Sequence, residues 1–314
     1  MQTFSKLNPQ KQQELYTQVI NLKKEGFGYK RIIKKIKEEQ AIKLWLSTLS
    51  YWFNHEVKLL GGQNYFELIQ SSELSYVLGV MFGDGSIIFN EKRKEYVLRL
   101  EAIDKDFVEK FSLDCASILG KESSFAVCYN KPRRNHSATY SVQVRSKQLY
   151  YFVKELKNDF EKVKKFVENY SAEFIQGLAD SEGCPSISAN VDFRCNIVVA
   201  YSTNYILLSY VKKLLEKFEI VSNLRLFKLK GAGDSVMQGR LIIRTMDLYS
   251  LSITKKSSVK KFSDLINFSI IRKYQKLTYG VWIVNNFVPN LRLKVWKKKY
   301  KKIRKYWRLI NISN

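Results

Sequence analysis

Apolar and polar positions along this chain fall into blocks that switch between the helical and the extended period. Leu15, Val19 and Leu22 recur at helical spacing, and Gly26 closes that helix. Tyr29 to Ile36 reads as a short second helix with Ile32, Ile33 and Ile36 turned inward. Ser47-Thr48-Leu49-Ser50-Tyr51-Trp52-Phe53 predicts a third, with Ser47 as its cap. Gly61-Gly62-Gln63-Asn64 then reads as a linker, which bounds an all-helical unit at residues 1–62. Beyond it the pattern predicts helix 73–84, strands 86–90 and 95–103, helix 105–119, strands 124–130 and 138–145, and helix 147–160. Tyr140, Val142 and Val144 alternate with Ser141, Gln143 and Arg145, as in a half-buried strand. The order repeats as helix 171–182, strands 185–190 and 194–201, helix 204–218, strands 223–230 and 237–244, and a helix from about 246. Val211, Leu214, Leu215 and Phe218 supply the inward stripe of the helix at 204–218. Two pseudo-symmetric αββαββα halves, 63–165 and 166–256, therefore predict an α+β fold. A helical, basic C-terminal extension follows at 257–314.

The opening helix of each half carries the same nine-residue element. Val77-Leu78-Gly79-Val80-Met81-Phe82-Gly83-Asp84-Gly85 and Ile175-Gln176-Gly177-Leu178-Ala179-Asp180-Ser181-Glu182-Gly183 share small residues third and seventh, an acid eighth and Gly ninth. Small residues four apart lie on one helix face, so two such helices can bring their backbones very close. Gly85 and Gly183 fall where a left-handed residue ends a helix. Asp84 and Glu182 are then expected side by side at the negative pole of two helix dipoles, an unfavourable place for carboxylates. Two acids forced together there call for a divalent cation. Asp180 has Phe82 as its counterpart in the first copy and reads as structural.

The chain has 314 residues, 54 Lys and Arg against 29 Asp and Glu, and a formal net charge of +25. That imbalance points to a polyanionic partner, nucleic acid above all. An apolar share of 45% with 14% aromatic residues excludes global disorder. There is no apolar run long enough to span a bilayer and no charged-then-apolar leader, so an intracellular protein is expected. Cys115, Cys128, Cys184 and Cys195 show no metal-binding spacing, His55 and His136 stand alone, and zinc is not expected. From Arg292 to Arg308 every charged residue is basic, and Trp296, Tyr300, Tyr306 and Trp307 are interleaved among them. Lys297, Lys298, Lys301 and Lys302 are candidates for phosphate contact there, with the aromatics available to bases.

The paired motifs, at this spacing and each followed by strands and basic residues, resemble the LAGLIDADG homing endonucleases in their single-chain, two-motif form. The resemblance covers roughly residues 72–256. It implies two sheets forming a curved saddle over a DNA major groove, with the acids beneath at the minor groove. It also implies site-specific hydrolysis of both strands of a double-stranded DNA target by a monomer, localised with intracellular or organellar DNA. Metal ligands carried over are Asp84 and Glu182, with the carbonyls of Gly85 and Gly183 as further candidates. Hard oxygen ligands at a phosphate suit Mg²⁺, or another hard cation such as Mn²⁺. Lys147 matches the slot of an outer catalytic lysine. The second half has Met246-Asp247 at that place, where Arg244 could substitute. Ala102 and Ser202 stand where the family often has Gln or Lys, which is a departure from its pattern.

Base-reading candidates on solvent-facing strand positions are Arg99, Gln143, Arg145, Arg225, Lys228, Lys230, Gln238 and Arg240. The first three helices resemble a helix-turn-helix module of the resolvase or homeodomain kind. Ser47, Thr48, Ser50 and Tyr51 are its candidate groove residues, and a plain bundle or a protein-docking module is the alternative. Members of the family also act as RNA-binding intron maturases, so an intron RNA partner stays open, as does a catalytically silent DNA-binding regulator. No Cys or Ser nucleophile opens the chain and no His-Asn pair closes it, so an intein context is not expected.

Overall fold

The computed structural model describes residues 2–4, 7, 9–54, 69–132, 137–189, 192–237, 240–303 and 306–310. Among these, the 61–64 linker and Gln238 are not included. Strand β1 (Gln2–Thr3), helices α1 (Pro9–Lys24) and α2 (Tyr29–Gln40), strand β2 (Ile42–Lys43) and helix α3 (Leu46–Asn54) form an N-terminal unit. Its own core contains Leu15, Val19, Leu22, Ile32, Ile36, Leu49 and Trp52. Gly26 takes a left-handed φ of 87° just past α1, which no side chain opposes. Helix α3 begins one residue earlier than Ser47, so Ser47 lies in the first turn and not at the cap.

The first half opens with α4 (Ser72–Phe82), whose Leu74 amide donates to the Ser71 hydroxyl at 3.1 Å. Strands β3 (Ser86–Asn90) and β4 (Glu95–Ala102), helix α5 (Lys105–Ile118), strands β5 (Val127–Asn130) and β6 (Thr139–Arg145), and helix α6 (Lys147–Asn158) follow. A short α7 (Glu161–Val167), not anticipated from the pattern, leads to the second half. The sheet is antiparallel in the order β3-β4-β6-β5.

The second half repeats the order with α8 (Ser171–Glu182), β7 (Cys184–Ala189), β8 (Phe193–Ser202), α9 (Tyr205–Lys217) and β9 (Asn223–Lys228). Here the structure departs from expectation. Strands β10 (Gly233–Met237) and β11 (Arg240–Ile243) pair only with each other, as an inserted hairpin. The fourth sheet strand is β12 (Leu248–Ile253), where a helix was expected, and the order β7-β8-β12-β9 matches that of the first half. The Leu251 and Ile253 side chains, fully buried, take it into the core, and β8 and β9 satisfy its backbone on both edges. The helix after the fourth strand is therefore α10 (Lys256–Leu265).

Helices α11 (Ile271–Asn286) and α12 (Pro289–Lys299) complete the helical part, and β13 (Tyr300–Ile303) with β14 (Tyr306–Leu309) form a hairpin where the tail was expected to stay helical. Phe262, Phe268, Leu277, Ile283 and Trp296 belong to the same apolar core as both halves. Trp296 is fully buried and its ring stacks on Tyr300 at 4.1 Å and 3°. These two aromatics of the basic run hold the extension to the core and do not face a base. The stretch is further anchored to the first half by Arg272, whose guanidinium donates to Asp104 at 2.5 and 2.7 Å. The Ile271 amide donates to Asp106 at 2.6 Å.

Helices α4 and α8 cross with backbone against backbone. A Cβ on Gly79 would lie 2.3 Å from the Phe174 carbonyl oxygen, and one on Gly177 would lie 2.3 Å from that of Tyr76. A Cβ on Gly83 would meet Ser181 Cβ at 2.4 Å. The glycines thus serve close approach, as the motif spacing predicted. Gly79→Ala and Gly177→Ala should each destabilise the protein by about 1–3 kcal/mol through overpacking. In an uncrowded helix the same change stabilises by about 1 kcal/mol, so the sign is diagnostic. Thermal melting checks it, and an unchanged or raised midpoint in both would refute the tight crossing.

Candidate active site and nucleic-acid interface

The crossing brings the two motif acids to one end of the helix pair. Glu182 is the last residue of α8, and Asp84 follows Gly83, the residue that caps α4. Neither Gly85 nor Gly183 is left-handed, contrary to expectation: Gly183 is extended at φ −99°. Both are required by space instead. A Cβ on Gly183 would lie 2.5 Å from the Val199 carbonyl oxygen, and one on Gly85 would lie 2.8 Å from Met81 Cα. The Gly85 carbonyl, a candidate metal ligand, accepts from the Lys157 ammonium at 3.2 Å.

The carboxyls sit in a costly environment. Asp84 keeps a solvent-facing edge, yet the protein around its carboxyl displaces enough water to raise its pKa, with Lys273 opposing the rise. Glu182 is raised by burial first and by the neighbouring Asp84 charge second, again against Lys273. A Cβ on Gly83 would lie 3.3 Å from Glu182 Cγ, so the Glu182 side chain packs beside the residue that precedes Asp84.

Sequence reasoning missed two lysines. Lys273, from the first turn of α11, is 5% exposed and donates to the Asp180 carbonyl at 2.5 Å and the Ala179 carbonyl at 3.3 Å. These carbonyls lie in the last turn of α8, where a cation is favoured, and the Ala179 oxygen also accepts from the Gly183 amide at 2.8 Å. Burial lowers its pKa, and the Asp180 carboxylate partly restores it. A signal was present: a lysine in a first helical turn opposes the dipole, so another contact has to hold it there. Lys157, in the last turn of α6, also has its pKa lowered by burial.

Lys147 lies elsewhere. Strand β3 runs outward from Asp84, turns at residues 91–94, and returns as β4. Arg145 pairs with Val97 in the outer part of β4, so β6 ends, and α6 begins, at the outer edge. Lys147 there faces the N-terminal unit, donating to Gln12 Oε1 at 3.4 Å, and α6 carries Lys157, not Lys147, back to the motif acids. The counterpart of Lys147 in the second half is Lys256, which opens α10, and not Met246-Asp247 or Arg244. Ala102 and Ser202 do end β4 and β8, in equivalent places.

Asp180 is 1% exposed and joins both halves and the extension. Tyr76 donates to it at 2.9 Å, the Ser269 hydroxyl at 2.5 Å and the Ser269 amide at 3.0 Å. That network fixes the crossing from below and gives Asp180 a structural role.

The solvent face of the first sheet presents Gln143 and Arg145, exposed, beside half-buried Arg99, which ion-pairs with Glu101. Arg145 pairs with Glu95 at 3.4 Å. On the second sheet Arg225 is exposed opposite Ser250, with Ser186, Ser188 and Asn196 along β7 and β8 as polar positions that the pattern did not single out. Lys228 ends β9 and Lys230 follows it in the turn, while Arg240 opens β11. Ser47 and Tyr51 are exposed on α3 and Thr48 and Ser50 half-exposed, with Leu49 and Trp52 turned inward. Lys297, Lys298, Lys301 and Lys302 are exposed on α12 and β13. Among the described residues no helix is long and apolar enough to cross a membrane.

A family model described as a LAGLIDADG-like domain matches residues 169–267. The uncharacterised protein MJ0398 of Methanocaldococcus jannaschii is 33% identical over 264 residues, covering 84% of this chain and 92% of its own. A second protein of that organism, MJ0314, is 34% identical over 151 residues, 48% of this chain and 56% of its own. Among solved structures, the homing endonuclease I-DmoI in complex with DNA and Mn is 20% identical, with 63% of this chain and 97% of that one aligned at a TM-score of 0.42. I-WcaI bound to its DNA recognition sequence is 14% identical, with 72% and 92% aligned at 0.45. With one motif in each half, joined across a glycine-lined crossing, and a family model spanning the second half, the chain belongs to the LAGLIDADG family.

Proposed function

We propose that this chain is a site-specific endonuclease for double-stranded DNA that holds a divalent cation between Asp84 and Glu182. The observation behind the reading is that the glycine-lined crossing brings one carboxylate from each half to the same end of the helix pair, where burial and the Asp84 charge raise the pKa of Glu182. Among the described residues no group of three or more His, Cys, Asp or Glu stands together. A cation here would therefore take these two carboxylates and complete its shell with backbone, phosphate or water oxygens. That all-oxygen set fits Mg²⁺ or Mn²⁺. Such a cation, when bound, activates water and offsets charge on the phosphate and the leaving oxygen.

The remaining work belongs to the chain itself. Lys273 ties down the last carbonyls of α8 and so holds Glu182 in direction. The Lys157 ammonium, bonded to the carbonyl next to Asp84, would offset charge on a phosphate held at the acids. Gln143, Arg145 and Arg225, exposed on the two sheets, present the groups that pair with base edges, Arg with guanine and Gln with adenine. The surplus of basic residues neutralises phosphates and makes affinity fall steeply with salt.

Asp84→Asn and Glu182→Gln should each remove Mg²⁺-dependent cleavage of duplexes selected from a randomised pool, with binding in Ca²⁺ retained. Cutting by the double variant at the parental rate would sink the assignment. The same two variants should melt at a higher temperature than the parent at neutral pH without metal. A carboxyl whose folded-state pKa is raised holds its proton more tightly folded than unfolded. Its ionised form therefore costs stability, and the cost develops as pH rises from the ordinary carboxylate pKa through the raised one. The gain in melting temperature should accordingly vanish in acid, and a gain independent of pH would contradict the electrostatic origin.

A further inference from the structure

The two appended units lie at opposite outer ends of the paired sheets. In the first half, α6 starts at the outer edge, beside the turn between β3 and β4, and α1 rests on it there through the Lys147–Gln12 contact. In the second half, β12 runs toward the outer edge, from Tyr249 opposite Ser202 to Ile253 opposite Ile197. Helix α10 returns inward to α8, where the Ile266 carbonyl just after it accepts from Gln176 at 2.7 Å. Lys273 of α11 touches the end of α8, and α11, 16 residues and about 24 Å long at the helical rise, runs outward from there past Cys195 and Ile187, which Gly280 faces. That length carries α12 to the outer end of β8, where Trp296 packs on Phe193, the first residue of β8, with ring centroids 5.4 Å apart. Tyr300 and Trp307 of the terminal hairpin close on the same indole.

We infer that these units are a pair of end clamps on one DNA duplex. The N-terminal helices grip the flank beyond the first half, and α12 with the β13–β14 hairpin grips the flank beyond the second. The inference rests on the endonuclease reading for the path of the duplex along the two sheets. Charge supplies the rest. Lys297, Lys298, Lys301 and Lys302 are exposed on α12 and β13, with their aromatic neighbours Trp296 and Tyr300 turned into the core. Such a surface suits phosphates and not stacked bases. At the other end Lys30 and Arg31 are exposed on α2, and Ser47 and Tyr51 on α3. The exposed side chains are thus basic on α2 and hydroxyl-bearing, with an aromatic, on α3, which suits phosphate and groove contact. Because the chain has a direction, the clamps assign each half to one side of an asymmetric target.

Hydroxyl-radical footprinting tests this on duplexes that the full chain selects from a long randomised pool in Ca²⁺, so that no cleavage is needed. A quadruple Lys297→Ala, Lys298→Ala, Lys301→Ala, Lys302→Ala variant leaves Trp296 and Tyr300 in place. A Ser47→Glu, Tyr51→Glu variant changes only exposed α3 positions. Each should shorten protection at one end only, and the two should act at opposite ends, with the centre still covered. Shortening at the same end by both variants, or an unchanged boundary with either, would overturn the clamp assignment. An unchanged boundary at the N-terminal end in particular would assign that unit to a protein partner. Selection of no duplex by the parent would instead defeat the endonuclease reading, so the two failures are distinct.

Discussion

The whole molecule depends on the contact between α4 and α8. Gly79 lies against the Phe174 carbonyl and Gly177 against that of Tyr76, with no space for even a methyl group between them. Helices this close have a single register, because any slide brings a side chain onto a backbone. The register decides which residues emerge at the far end, and it delivers one acid from each half to the same place. The sheets follow as well. Each begins directly after a motif acid, so fixing the crossing fixes the angle between the two halves and the surface they jointly present.

That geometry carries an electrostatic cost, which the fold offsets in part. Two carboxylates at the negative ends of two helices are unfavourable in burial, dipole and mutual charge. Lys273 enters from the C-terminal part of the chain to bond the last carbonyls of α8. Lys157 does the same for the Gly85 carbonyl beside Asp84. Neither lysine forms an ion pair with the acids. They compensate the backbone and leave the carboxylates available to an external cation. The Tyr76–Asp180–Ser269 network beneath is closed on itself, so its buried carboxyl is satisfied and remains structural.

The C-terminal stretch is consequently not a free basic tail. Its helices α10 and α11 belong to the second half in position and in core. Arg272 and the start of α11 also hold to Asp104 and Asp106 of the first half. The outer surface of α12 and the terminal hairpin carries the exposed lysines Lys297, Lys298, Lys301 and Lys302. The N-terminal unit differs in having a core of its own.

Local signals were strongest where residue type and spacing act through the chain itself. Small residues four apart, an acid eighth and a glycine ninth, present twice, identify the crossing and its acids, because those contacts lie within one helix face. The strand pattern located β3, β4 and β6 to within a residue for the same reason, while β5 begins three residues later than expected. The first three helices and the basic character of the chain were equally open to reading. What the sequence left undecided lay across distances it does not encode. Lys147 was chosen by its place after a strand, yet which end of α6 meets the acids follows from sheet topology, and that end carries Lys157. The inserted β10–β11 hairpin displaced the fourth strand to β12, since the pairing of both its edges by β8 and β9 was invisible in its own residues. Trp296 and Tyr300 looked available to a nucleic acid until packing against Phe193 took them inward. Lys273 reaches the last carbonyls of α8 only because α11 folds back there: its place in a first helical turn signals that some contact holds it, and tertiary structure alone decides which.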